Sequence, residues 1–95
     1  MQKTLRSKGP PLDSDAELRV LLADVLGLSP ERIAAFTDDT PLFGALPEFD
    51  SMAVAHFLTA FEKRFHVIIE DDDVEAEHFD SFGSLLAFTK RMTDR

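Results

Sequence analysis

Apolar residues recur along this chain at helical spacing. Leu18, Leu21, Leu22, Val25 and Leu26 share one face, and Ser14 followed by Glu17 has the spacing of a capping box. A helix is predicted from about 14 to 26, ended by Gly27, which tolerates positive φ. Residues 27–50 form a long connection. Ser29-Pro30-Glu31 reads as a short helical start, Ile33 and Phe36 as pins to the core, and Thr40-Pro41-Leu42-Phe43-Gly44 as a turn with two apolar anchors. A second long helix begins at Asp50 or Ser51, with Asp50 as its cap. Val54, Leu58, Phe61 and Phe65 form its stripe, Phe57 widens it, and it stops near Phe65 or His66. Val67-Ile68-Ile69 is β-branched, but a lone strand is not stable, so it reads as an extended link. A short helix is expected from about 71 to 77. A last amphipathic helix, about 82 to 92, carries Leu85, Leu86, Phe88 and Met92.

The pattern is that of an all-α domain, a small four-helix bundle: three longer helices, one short third helix and a long first loop. Residues 13–95 form the domain. Residues 1–12 are polar, end near Gly9-Pro10-Pro11, and read as a flexible N-terminal tail.

Composition narrows the chemistry. The 95 residues suffice for one core, and nine are Phe. The absence of Cys excludes disulfides, thiolate metal sites and a Cys nucleophile. No apolar run spans a membrane, and the basic N-terminus lacks the apolar stretch of a secretory signal, so the expected location is cytoplasmic. The net charge of −8 is unevenly spread, with −7 on residues 13–50 and −7 again on residues 70–80. Such a field repels nucleic acid and anionic membranes and attracts basic protein surfaces. Nothing demands more than a monomer.

The segment that bears on chemistry is Phe49-Asp50-Ser51-Met52. It sets a hydroxyl on the first turn of an amphipathic helix, after a long loop and an acidic cap, where a modifying enzyme can reach it. Free N–H groups and the positive end of the helix suit a phosphodiester there. The plain alternative is that Ser51 merely follows its cap.

From Asp13 to Met92 the chain resembles the acyl carrier protein family. The family's Asp-Ser-Leu motif at the start of its second helix stands here as Asp50-Ser51-Met52. Leu26-Gly27-Leu28, Asp38-Asp39-Thr40-Pro41-Leu42-Phe43, Phe61-Glu62-Lys63-Arg64-Phe65 with Ile69, the acidic stretch before the last helix and Phe82-Gly83-Ser84-Leu85 also match. The resemblance implies that 4′-phosphopantetheine is transferred from coenzyme A to Ser51, flanked by Asp50 and Met52. The arm's thiol would then hold acyl groups as thioesters, which explains thiol chemistry in a protein without Cys. It implies as partners a phosphopantetheinyl transferase and acyl-loading and acyl-processing enzymes with basic docking surfaces. Met52 for Leu conserves volume. The start of the second helix is acidic in carriers of fatty-acid synthesis, but here it reads Ala53-Val54-Ala55-His56. That points to a specialised biosynthetic or surface-polymer pathway.

Two alternatives stand beside the acyl carrier: a peptidyl or aminoacyl carrier, and an unmodified acidic helical adaptor. A hydrolase is excluded by the lack of a Gly-x-Ser-x-Gly elbow, and no enzymatic activity is expected. His56, His66 and His78 lack zinc-site spacing, and Asp71-Asp72-Asp73 lacks the EF-hand pattern, so no metal is expected. Glu70, Glu75 and Glu77 are either a solvated face or a partner-docking one. Leu58, Phe61, Ile69 and Ile33 are candidate liners of a shelter for an acyl chain.

Overall fold

The computed structural model describes residues 13–94, so the predicted tail over 1–12 lies outside the described residues. The helices are α1 (Ser14–Leu26), α2 (Pro30–Ala34), α3 (Ser51–Phe65) and α4 (Phe82–Thr93), with two 3-10 turns, Asp71–Asp73 and Ala76–Phe79, between the last two. No strand occurs among the described residues.

Each helix starts where a short polar side chain can take up a free N–H. Asp13, Ser29, Asp50 and Ser81 accept from Ala16, Arg32, Ala53 and Ser84 respectively. The cap of α1 is thus Asp13, not the expected Ser14, which is already helical. Gly27 ends α1 at φ 69. His66 ends α3 in the same left-handed region, at φ 56.

The expected short third helix over 71–77 is not an α-helix. Val74 and Glu75 are extended, at ψ 128 and 151, and split the segment into two 3-10 turns. Each turn is closed by its own reciprocal cap, Glu70 with Asp73 and Glu75 with His78. The remaining expectations for the bundle hold, and the short helical start at Pro30 becomes α2.

α1 packs against α3 and α4, α2 against α1, and the Ala76–Phe79 turn against α4. Leu18, Leu22, Leu42, Phe57, Phe61, Phe82 and Leu85 are wholly buried between them. Ile33 and Phe36 are buried as expected, but of the two anchors in the Thr40–Gly44 turn only Leu42 is, and Phe43 stays exposed. Arg19 fastens α1 to the long loop by donating to the carbonyls of Ile33 at 2.6 Å and Phe36 at 3.0 Å. The far end of that loop is held by backbone bonds. Phe82 N donates to Thr40 O at 2.8 Å and Gly83 N to Asp38 O at 2.9 Å. Leu42 N and Phe43 N in turn donate to Asp80 O and Phe79 O. Loop carbonyls thereby satisfy N–H groups that the start of α4 cannot satisfy itself. Phe43 is carried to the mouth of α3.

Candidate functional site

Ser51 is the first residue of α3, and its side chain is exposed. Asp50 precedes it in extended conformation, and its Oδ1 accepts the Ala53 N–H at 2.9 Å. The Asp50 carbonyl accepts the Val54 N–H at 3.0 Å. Asp50 is therefore a structural cap whose acceptors are turned into the helix. Among the described residues, the Ser51 hydroxyl and the N–H groups of Ser51 and Met52 have no protein partner. A free oxygen beside two free donors, at the positive end of a 15-residue helix, suits a phosphodiester on that oxygen.

Met52 points outward, 68% exposed, and Phe43 stands beside the same helix end at 46%. Ser51 lies on the rim of an apolar hollow of about 210 Å³ lined by Phe43, Val54, Val74, Ala76 and Phe79. Two of those rings belong to an aromatic cluster. Phe49 lies 6.4 Å from Phe43 and 5.8 Å from Phe79, and Phe57 lies 6.1 Å from Phe49 and 6.0 Å from Phe79. Edge-to-face contacts of this kind fix ring positions, so the hollow rests on a rigid floor. Val74 also borders a second hollow of about 330 Å³, with Leu58, Thr59, Glu62, Ile69, Glu70 and Asp71.

The liners expected from sequence divide accordingly. Leu58 and Ile69 border the second hollow, Phe61 is wholly buried, and Ile33 lies beside Arg19 and Val20 in a groove between α1 and α2. Phe43, Val74, Ala76 and Phe79 were not anticipated. Val54 was legible, one turn beyond Ser51 on the same helix.

Charge around Ser51 is one-sided. The first turn of α3 has no acidic residue, whereas Glu70, Asp71, Asp72, Glu75 and Glu77 are all exposed on and just before the segment that supplies Val74, Ala76 and Phe79 to the hollow. A hydrogen bond with Glu75, and the like charge of that carboxylate, push the Glu77 carboxyl above its ordinary range. On the loop before Asp50, Arg32 donates to Glu48 at 2.6 and 3.3 Å and holds its carboxyl below the ordinary range. Among the described residues, no group of three or more His, Cys, Asp or Glu could hold a metal ion. Likewise no helix there is long and apolar enough to cross a membrane.

The profile of the phosphopantetheine attachment site family matches residues 16–89, most of the chain. The chain belongs to the acyl carrier protein family of phosphopantetheine carriers. It also resembles the solution structure of a holo acyl carrier protein from Nitrosomonas europaea. That match has 36% identity and a TM-score of 0.77, and covers 88% of this chain and 100% of that one. A search of curated proteins gave no match. Members of this family are carriers and not catalysts, and their cofactor is covalently attached 4′-phosphopantetheine. The unmodified-adaptor alternative falls with that membership.

Proposed function

We propose that Ser51 Oγ carries the phosphopantetheine arm and that the protein presents acyl groups to a dedicated set of enzymes. When bound, the arm supplies a thiol that holds an acyl group as a thioester. The chain's own residues have simpler tasks. Asp50 fixes the start of α3 and so the direction of the Ser51 hydroxyl. Met52 and Phe43 give a visiting enzyme an apolar foothold on either side of it. The acidic 70–80 segment attracts basic partner surfaces. These partners are a phosphopantetheinyl transferase and acyl-loading and acyl-processing enzymes. The acid-free start of α3 supports a specialised pathway over the housekeeping fatty-acid one.

The observation that carries this reading is the Ser51 oxygen, exposed and without a protein partner at the rim of an apolar hollow. The test is incubation with coenzyme A, magnesium and a broad-specificity phosphopantetheinyl transferase, followed by intact mass. The expected result is one added phosphopantetheinyl group on the wild type and none on Ser51→Ala. Equal modification of both proteins contradicts the assignment.

A further inference from the structure

His78 occupies a position usually filled by Glu or Gln. It stands three residues after Glu75, and its Nδ1 accepts the Glu75 N–H at 3.0 Å, while the His78 N–H donates to the Glu75 carbonyl at 3.0 Å. Nδ1 accepts only when it bears no proton, so this contact requires the neutral ring with its hydrogen on Nε2. Nε2 faces Arg91 Nη2 at 3.4 Å. Both groups are then donors, and that approach is not a hydrogen bond. The imidazole instead rests on the Phe88 ring, 4.8 Å between centroids. Arg91 lies 5.5 Å over the same ring and reaches the Asp73 carbonyl at 3.4 Å.

Protonation changes both contacts. It removes the acceptor of the Glu75 N–H and sets a second cation against the Arg91 guanidinium. The carboxylates of Glu75, Glu77 and Asp80 on the same segment, and of Asp73 on the preceding turn, attract the new charge. The turn that His78 closes carries Ala76 and Phe79, two walls of the hollow beside Ser51.

We propose that His78 is a pH-sensitive latch: neutral, it holds the Glu75 N–H and so the start of the 75–79 turn; protonated, it gives up that bond and loosens the Glu75–Ala76 wall of the hollow beside Ser51, while Phe79 stays held by the Phe43 N–H and its ring neighbours. The latch is a property of the folded chain and does not depend on which residue bears the arm.

The test is an NMR titration of the unmodified protein from about pH 8 to about pH 5, the range in which histidines change charge. The His78 ring and the amides of Glu75 and Ala76 are expected to share one midpoint. Below it the Glu75 amide should exchange with water about tenfold faster than its intrinsic pH dependence requires, as the loss of one hydrogen bond implies. His78→Gln keeps an acceptor that does not titrate, so its 75–79 amides should stay flat. Glu77→Gln should leave the transition in place. Amides that ignore the His78 midpoint, a transition that survives in His78→Gln, or one abolished by Glu77→Gln overturns the proposal.

Discussion

Replacing Gly83 with alanine should destabilise this protein, although the same change on most helices does the reverse. Gly83 is the second residue of α4, and in an open helix alanine is favoured over glycine by about 1 kcal/mol. Here the added Cβ meets Asp38 O at 2.8 Å, Asp38 Cβ at 3.0 Å and Asp38 Cα at 3.2 Å. Two of the three are backbone atoms and cannot swing aside. The Asp38 carbonyl is also the acceptor of the Gly83 N–H, so retreat from the methyl stretches that bond. Overpacking of this kind costs about 1–3 kcal/mol, and a weakened hydrogen bond adds up to about 1 kcal/mol. Less the helix gain, the net loss is about 2 kcal/mol, which lowers Tm by about 8–16 °C in a domain of this size. Thermal unfolding followed by circular dichroism measures it. A Tm equal to or above that of the wild type refutes the claim that the first loop is clamped onto α4 through this glycine.

Two further outcomes follow from the same structure. Phe57 is wholly buried, with ring neighbours Phe61, Phe79 and Phe49 at 5.8, 6.0 and 6.1 Å. Phe57→Ala should cost about 3–5 kcal/mol and lower the urea midpoint by at least about 1 M. The pH dependence of stability has two opposed parts. Glu48 is held below its ordinary range, so its pairing with Arg32 stabilises the fold above that range, and this contribution fades as the pH falls through the folded-state value. Arg32→Gln should flatten that acid limb in urea titrations at stepped pH. Glu77 is raised by Glu75, so its contribution is favourable in acid and is lost as the pH rises through the raised value. Glu75→Gln should therefore stabilise the protein at neutral pH, and the advantage should vanish on acidification.

The long helices were legible because periodicity and end signals agree within each. Leu18 to Leu26 runs into Gly27, and Asp50 stands directly before the stripe that contains Phe57 and Phe61. The Ser14–Glu17 spacing misled because Asp13 offers a carboxylate one residue earlier. The 71–77 segment misled because acidic residues suit a helix start in general, yet Val74 is extended between two turns that close on themselves. No local pattern announces that break. The hollow was the least legible feature. Its walls come from the first loop, α3 and the 74–79 segment, which meet only after the loop binds to the start of α4. The serine itself needed no such assembly, since its exposure follows from its place at one helix end.

The most direct test of that serine's role is fragmentation of the modified protein. After transferase treatment, the peptide spanning Phe49 to Met52 should carry the phosphopantetheinyl group, with the mass step at Ser51. A group located on another hydroxyl, such as Ser81 or Ser84, contradicts the account.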